Sequence, residues 1–205
     1  MLRVALPKGR IADKTLEIFS EIFNDSFKFE DRKLKMQKDN FEFYMVRNQD
    51  IPTYVNFGAA DIGVVGLDVL EEQQSDVLRL LDLKFGKCDV CVGIKENETL
   101  NYNKPGFKVA TKMPNIARAY FSSKAVPVKI IKLYGSIELA PPVNLADCIV
   151  DLVETGATMK QNGLKPVETI MTSSAYLIAN KNSFVTKRDE ILSLYQKISA
   201  KLDEN

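Results

Sequence analysis

The alternation of short apolar runs with helical segments is the strongest constraint on the fold of this chain. Residues 2–6, which are apolar except for Arg3, predict a short buried strand, and a helix is expected to begin at Ala12 or Asp13. Residues 41–46 and 60–65 predict two further strands, each followed by a short helix. Strands that alternate with helices in this way predict a largely parallel α/β sheet.

The second half of the chain repeats the alternation. We predict strands over 108–111 and 128–133, helices over 114–123, 145–153 and 158–162, extended segments over 167–173 and 175–179, and an amphipathic helix from 187. Two crossings between lobes predict a two-lobed α/β fold of the periplasmic-binding-protein type (type II), with a central cleft and a double hinge. The expected lobes are 1–89 plus 176–205, and 90–175.

The composition is that of an ordinary globular protein, with 45% apolar and 27% charged residues and a net charge of +1. Proteins that bind nucleic acid electrostatically usually carry a basic excess, so nucleic acid is not expected as a partner. The apolar runs are too short and too charged to span a bilayer, which argues against a membrane partner. Pro7 and Lys8 interrupt the N-terminus before a signal-peptide core could form, so a cytoplasmic location is expected.

The chain contains no histidine, which excludes a Ser-His-Asp triad, a Cys-His pair and a histidine-based metal site. Cys88 and Cys91 have CxxC spacing, but they lie in a segment of strand-like alternation, where residues three apart point to opposite faces. With Cys148 they are expected to be ordinary reduced thiols. Catalysis must therefore use carboxylates, Lys, Arg, Tyr, hydroxyls, backbone amides or a metal carried by the substrate.

The tetrapeptide Thr155-Gly156-Ala157-Thr158 stands directly before a short predicted helix. Free backbone N–H groups, a glycine that lets the backbone curve around an anion, and two hydroxyl donors together favour phosphate binding. An ordinary N-cap, in which Thr155 or Thr158 satisfies the helix, is the alternative interpretation.

Asp151 and Glu154 precede this tetrapeptide and are three residues apart, so at the end of the predicted helix 145–153 both would face one side. Carboxylates beside a phosphate would repel it unless another group lay between them. A ribose fits that position, because its hydroxyls donate hydrogen bonds to carboxylates. The pattern thus predicts a phosphoribosyl pocket, and the alternative is a pair of solvated helix-face charges.

The segment 151-DLVETGATMKQNGL-164 resembles the phosphoribosyl-diphosphate loop of the ATP phosphoribosyltransferase family, which catalyses the first step of histidine biosynthesis. The resemblance covers nearly the whole chain. Further similar segments, in family order, are 5-ALPKGRI-11, 50-DIPTYVNFGAADIGVVGLDVL-70, 81-LDLKFGKC-88, 114-PNIARAYF-121, 135-GSIELAP-141 and 145-LADCIVDLV-153. The resemblance implies transfer of the 5-phosphoribosyl group from phosphoribosyl diphosphate to N1 of the adenine of ATP, with release of diphosphate.

The resemblance also implies roles for the residues of this loop. Residues 155–158 would cradle the 5′-phosphate of phosphoribosyl diphosphate. Asp151 and Glu154 would lie near the ribose as catalytic and substrate-binding carboxylates. Mg²⁺ would arrive on the diphosphate of the substrate rather than in a site of the protein.

Five other positions are weaker candidates for binding phosphates or ATP. Lys8 and Arg10 follow the first strand and are placed to meet phosphates, with solvated surface charge as the alternative. Gly66 would let the backbone approach a ligand closely, or is a plain turn glycine. Glu138 would contact a nucleotide or support the hinge. Arg118 would reach an anion from its helix, or lies on a solvated face.

Two positions depart from the family pattern: Leu67 stands where the family usually has lysine, and Asp89 where a basic residue is common. The length resembles that of the short form of the family. That form implies a homodimer, and a separate regulatory subunit that resembles a histidyl-tRNA synthetase. No histidine-binding domain is expected in the chain itself.

Two other classes of function remain possible on the residues alone. A two-lobed α/β protein with a hinged cleft also describes solute-binding receptors, although these normally carry an export signal. A purely structural subunit is the third class, and it would leave the loop at 151–158 without a purpose.

Overall fold

The computed structural model describes residues 1–30 and 32–204, and the chain divides into two compact units. Unit 1 comprises Met1–Leu70, Gln74–Gly86 and Ser174–Asn205, and unit 2 comprises Glu71–Gln73 and Lys87–Ser173. Both units are α/β, as the sequence predicts. The predicted lobe boundaries, 1–89 plus 176–205 and 90–175, remain a prediction.

Unit 1 is built on a six-stranded sheet. Its strands are β1 Leu2–Pro7, β2 Lys35–Lys38, β3 Phe41–Val46, β4 Ile62–Gly66, β5 Leu78–Asp82 and β11 Ala175–Ala179, in the order β2-β3-β1-β4-β11-β5. The helices are α1 Arg10–Phe23, α2 Ile51–Asn56, α3 Leu67–Gln73, α6 Lys181–Thr186 and α7 Arg188–Asp203; the last three residues of α3 belong to unit 2. Strand β1 pairs in parallel with β3 and β4, whereas β2, β5 and β11 pair antiparallel.

The sheet of unit 1 is buried on both faces, because alternate residues of β1 join different clusters. Val4 and Leu6 pack with Phe19 of α1 and Leu194 of α7. Ala5 points to the other face, in a cluster that includes Ile51 of α2. Burial on both faces explains why the residues of β1 are apolar apart from Arg3, whose guanidinium pairs with the buried Asp61.

Unit 2 is built on a five-stranded sheet. Its strands are β6 Cys88–Lys95, β7 Lys108–Thr111, β8 Lys129–Lys132, β9 Cys148–Val153 and β10 Leu164–Ser173, in the order β10-β6-β9-β7-β8. The helices are α4 Pro114–Ser123 and α5 Ala157–Gln161. Strand β7 pairs in parallel with both β8 and β9, while β6 pairs antiparallel with β9 and β10.

The helix predicted over 145–153 is wrong, because Cys148–Val153 is the strand β9. Cys148 and Val150 pack on the face covered by α4, and Ile149 packs on the opposite face with Met159 of α5. A strand buried on both faces has no period-2 signal, so a short apolar run cannot be told from a buried helix by periodicity. The β-branched residues Ile149, Val150 and Val153 were the available strand signal.

Three smaller differences follow from local sequence. Helix α1 begins at Arg10 rather than at Ala12 or Asp13, directly after Gly9, whose φ is +96°. Strand β2 was not predicted, because its sequence KMQK is polar and it lies at the sheet edge. The sheets are also mixed rather than largely parallel.

None of the described helices is both long and apolar enough to cross a bilayer.

A buried carboxylate ties the start of unit 1 to its C-terminal helices. Asp61 has a fully buried side chain and forms ion pairs with Arg3 at 2.8 Å and Lys187 at 2.7 Å. Its Oδ1 also accepts a hydrogen bond from Ser183 at 2.7 Å. Burial raises the pKa of Asp61, but the hydrogen bonds from Arg3, Lys187 and Ser183 lower it by more, so the pKa lies below its ordinary value.

We predict that Asp61→Asn lowers the free energy of unfolding by about 3 kcal/mol at neutral pH, because it leaves two cations without their buried partner. Since the folded-state pKa is depressed, this stabilisation is complete above about pH 4 and is lost as the pH falls further. Urea denaturation at pH 7 and at pH 3 measures the effect. The control is Asp76→Asn, whose pair with Lys181 is exposed; an equal loss in both variants at pH 7 would contradict the prediction.

Candidate active site

The carboxyl ends of the parallel strands in unit 2 bring the strongest candidates to one edge of the sheet. Residues 154–158 follow β9, Lys112 follows β7, and Glu138 lies in the segment that follows β8. Neighbouring parallel strands end at the same edge, and ligands of open α/β sheets bind there. The register aligns Thr111 with Val150, which sets Lys112 beside the end of β9.

Asp151 is a buried carboxylate near the end of β9, with 7% of its surface exposed. By strand alternation it shares a face with Ile149 and Val153, the face that also carries α5. Lys112 Nζ lies 3.1 Å from Asp151 Oδ1, and the amide of Leu152 donates to the same oxygen at 2.9 Å. The carboxylate is therefore held in place and neutralised within unit 2.

Glu154 is exposed and lies past the end of β9. The expectation that Asp151 and Glu154 face one side of a helix end is wrong, because the segment is a strand. In a strand, residues three apart point to opposite faces. Any shared contact of the two carboxylates with one ligand must therefore come from the bend after Val153.

Residues 155–158 form an exposed turn that leads into α5. Gly156 has a φ of +75°, a conformation that L side chains rarely adopt, so glycine is required there by the backbone. The amide of Ala157 donates to Thr155 Oγ1 at 3.4 Å, but the N-cap of α5 is Gly156, so neither Thr155 nor Thr158 is the N-cap of the alternative interpretation. Thr158 is exposed, and no described residue accepts a hydrogen bond from its hydroxyl.

The turn is anchored by a buried methionine. Met159 is 3% exposed and packs in a cluster with Ile137 and Ile149. Helix α5 has only five residues, so its macrodipole can supply little of the attraction for an anion. The donors available to a ligand are therefore the amides and hydroxyls of the turn itself, which the buried Met159 side chain holds in place.

Lys112 and Thr111 are site residues that the sequence reasoning missed. Thr111 is fully buried, donates its hydroxyl to the carbonyl of Val150 at 2.7 Å and accepts the amide of Met113 at 2.9 Å. These hydrogen bonds fix the backbone at the C-terminal end of β7 and hence the position from which the Lys112 side chain extends. The signal was available: a lysine directly after a predicted parallel strand belongs at the edge where ligands bind.

Unit 1 presents three other candidates at the carboxyl ends of its own parallel strands. Lys8 and Arg10 follow β1 and are exposed, and Gly66 ends the neighbouring strand β4. Gly66 is buried, and a Cβ there would lie 2.2 Å from Asp68 Oδ1. A side chain at position 66 would therefore require the Asp68 carboxylate to move. Leu67 is the first residue of α3.

The remaining candidates have local partners in unit 2. Arg118 is exposed on α4, and its Nη1 donates to Asn115 Oδ1 at 3.1 Å. Glu138 is half-buried in the 3-10 turn Ile137–Leu139. Asp89, the position where the family often has a basic residue, accepts a hydrogen bond from Thr172 on β10 at 2.7 Å.

The three cysteines lie in unit 2 and are free thiols, as predicted. Cys91 and Cys148 are buried, and Cys88 is partly buried. Burial raises the pKa of Cys91 and of Cys148, so both remain protonated at neutral pH. Within residues 1–30 and 32–204, no three His, Cys, Asp or Glu side chains converge on a point that could hold a metal ion.

Comparison with known proteins identifies the family. A chain called ATP phosphoribosyltransferase from Campylobacter fetus subsp. fetus (strain 82-40) is 76% identical over 200 residues, 98% of both chains. A relative of the same description from Helicobacter hepaticus is 57% identical over 203 residues, 99% of both chains.

Solved structures are also similar to this chain. A chain of the "ATP phosphoribosyl transferase (HisG:HisZ) complex" from Thermotoga maritima has a TM-score of 0.86 and 32% identity over the whole of both chains. The periplasmic aliphatic sulphonate binding protein SsuA from Escherichia coli has a TM-score of 0.64 at 13% identity, covering 98% of this chain and 72% of that one. This second likeness concerns the fold alone and confirms the predicted periplasmic-binding-protein type.

A family model described as HisG, ATP phosphoribosyltransferase, matches residues 47–200. The match includes β9, the turn at 155–158 and α5, the elements that carry the strongest site candidates. The chain belongs to the ATP phosphoribosyltransferase family.

Proposed function

We propose that this chain transfers the 5-phosphoribosyl group of phosphoribosyl diphosphate to N1 of the adenine of ATP and releases diphosphate, the first step of histidine biosynthesis. The chain is then a pentosyl-transferring glycosyltransferase. One observation supports the site assignment most directly: the exposed turn at 155–158 stands beside the buried carboxylate of Asp151 at the end of β9. This is the arrangement that a phosphate joined to a ribose requires.

The turn at 155–158 is assigned to the 5′-phosphate. Gly156 adopts a positive φ, which lets the backbone curve around an anion, and the hydroxyl of Thr158 adds a donor. Hydrogen bonds to a charged phosphate are shorter and stronger than those between neutral groups. The Thr155 hydroxyl accepts the Ala157 amide and remains able to donate to a phosphate oxygen.

Asp151 is assigned to the ribose, where its negative charge favours the cationic sugar that forms as diphosphate leaves. A charge that is already held by Lys112 and a backbone amide needs no reorganisation during the reaction, which is what makes such a group effective. Glu154 is assigned to a ribose hydroxyl or to ordering of the loop. Its position beyond the strand supports a binding role more than a role in charge stabilisation.

The chemistry suits a chain without histidine. Adenine N1 carries a free lone pair, so no strong base is needed to generate the nucleophile. The protein must align two anionic substrates and stabilise charge on the leaving group. Magnesium bound to the diphosphate supplies part of that stabilisation, and as a component of the substrate it needs no cluster of protein carboxylates.

Lys8 and Arg10 are assigned to phosphates of the substrates, because both are exposed cations at the carboxyl end of β1. Arg118 and Glu138 are weaker assignments. Arg118 already donates to Asn115, and Glu138 is half-buried. The homodimer and the cytoplasmic location stay predictions.

The direct test is to mix the purified chain with ATP, phosphoribosyl diphosphate and magnesium, and to follow the absorbance of the N1-ribosylated adenine. A solute-binding protein shares the fold but would give no product under any condition. A structural subunit would also give none. The test is run with and without a HisZ-type partner, so that dependence on a partner is not mistaken for inactivity.

We predict that Thr158→Val weakens the binding of phosphoribosyl diphosphate by about 10- to 100-fold, because one hydrogen bond to a charged group is lost. The affinity for ATP should change much less. Calorimetric titration of each substrate measures both. Thr186→Val is the matched control, since that hydroxyl is bonded to Asn182 in α6 of unit 1. Equal weakening of both substrates would indicate general damage to the loop instead.

We predict that Asp151→Asn lowers kcat more than it raises KM, on the order of 100-fold, because the lost charge acts mainly in the transition state. Lys112→Met should lower kcat in the same direction but by less, since it removes the group that positions the carboxylate. Steady-state kinetics on the two single variants and the double variant measure the coupling. Strict additivity would show that the ion pair has no part in catalysis.

We predict that the isolated chain is poorly active, is insensitive to histidine, and gains activity when a HisZ-type subunit is added. The motive is its likeness, over its whole length, to a chain solved in a HisG:HisZ complex. The partner would act by binding the active state more tightly than the inactive one. Turnover is measured against histidine with and without the partner; full, histidine-inhibited activity of the chain alone would refute the prediction.

A further inference from the structure

A second basic site lies at the amino-terminal edge of the parallel strands in unit 2. A cavity of about 280 Å³ is lined by Lys95, Lys104, Lys108, Asn144 and Asp147, among others. Lys108 begins β7, and Asp147 directly precedes β9. The turn at 155–158 follows the opposite end of β9. With about 3.3 Å per residue along a strand, roughly 20 Å separates the two sites.

The carboxylate of Asp147 at this cavity already has two partners. One oxygen pairs with Lys104 Nζ, and the other accepts the backbone amide of Lys108 at 2.8 Å. Burial raises the pKa of Asp147, but the contacts with Lys104 and the Lys108 amide lower it by more, so it remains charged and engaged. The charge of Asp147 is therefore balanced by Lys104, and both of its oxygens are occupied.

Two other lysines leave positive charge facing the cavity. Lys95 Nζ donates to Asn144 Oδ1 at 2.8 Å and lies 3.3 Å from a carboxylate oxygen of Glu98. Lys108 is exposed, and no ion pair joins its ammonium group to any other residue that the structure describes. With three lysines against Glu98 and Asp147, the lining has an excess of one positive charge.

We propose that this cavity binds a small phosphate-type oxyanion, with the Lys108 and Lys95 ammonium groups and the Asn144 amide as its donors. The volume is at the lower limit of ligand pockets, which suits phosphate or diphosphate better than a whole nucleotide. Charge-assisted hydrogen bonds from lysine are the usual way in which a surface cavity selects such anions. The site is independent of the proposed activity, since it shares no residue with the turn at 155–158.

The cavity adjoins a segment that supports the candidate active site. Asn144 and Ala146 line the cavity, and Ala146 packs with Ile137 and Met159 in one cluster. Met159 is the residue that anchors α5. The cavity and the base of the turn at 155–158 therefore share one packed cluster of unit 2.

The experiment uses the full chain labelled with ¹⁵N-glycine, which contains ten glycines. Gly106 lines the cavity and Gly156 lies in the turn, so one spectrum reports both sites. Phosphate, diphosphate and AMP are titrated separately at constant ionic strength, with chloride as the reference. Saturable shifts of the Gly106 resonance by phosphate or diphosphate support the proposal, and the tighter of the two identifies the preferred anion.

The variant Lys95→Met/Lys108→Met should weaken binding at Gly106 by about tenfold, because two cationic contacts are lost. Lys14→Met, which alters an exposed lysine paired with Glu17 on α1, should leave it unchanged. Lys108→Met alone serves if the double variant does not fold. The proposal is overturned by a Gly106 response no greater than in chloride, by shifts at Gly156 only, by saturation with AMP alone, or by equal affinity in all variants. An enzymatically inactive chain would leave these readings unchanged.

Discussion

A carboxylate that is almost fully buried must be neutralised where it stands, and this requirement organises the carboxyl edge of the sheet in unit 2. Asp151 meets Lys112 at 3.1 Å because β7 and β9 are parallel neighbours in fixed register. Isolated buried charges are costly, so the lysine and the carboxylate determine each other's position. The turn at 155–158 begins only four residues later. The placement of this turn beside Asp151 and Lys112 thus depends on a strand pairing as well as on the turn's own sequence.

The sequence predicted the composition of this site better than its geometry. The residues Thr155-Gly156-Ala157-Thr158 were identified from their donors and from the freedom of glycine, which are local properties. The relative orientation of Asp151 and Glu154 is not a local property. Their spacing of three residues predicts one side of a helix, whereas Asp151 lies in a strand and Glu154 follows it. Lys112 was missed for the same reason, because only the pairing of β7 with β9 brings it to Asp151. Neighbours across a sheet are set by register, which a single sequence does not reveal.

The fold shows the same division between local and non-local information. Helix α4 has the predicted bounds Pro114–Ser123, since a proline in the first turn and an amphipathic pattern are both local signals. The parallel core of each unit was also predicted from alternation. The sequence predicted β6, β10 and β11 as extended segments, but it predicted neither β5 nor the antiparallel pairing, because these strands pair across large separations in the chain. Asp61 is a further case: its partners Arg3 and Lys187 come from opposite ends of the sequence.

The two ends of β9 carry different electrostatic arrangements, and this follows from how parallel strands begin and end. At the amino end, Asp147 is held by Lys104 and by the amide of Lys108, which starts the neighbouring strand. At the carboxyl end, Asp151 is held by Lys112, which directly follows that same strand. Each aspartate is thus held by residues in or next to β7. The groups beyond each pair are the turn at 155–158 at one end, and the ammonium groups of Lys95 and Lys108 at the other. We propose that one strand pair supports two separate anion-binding edges, and that the carboxyl edge is the one suited to catalysis, because there an exposed turn follows the buried charge.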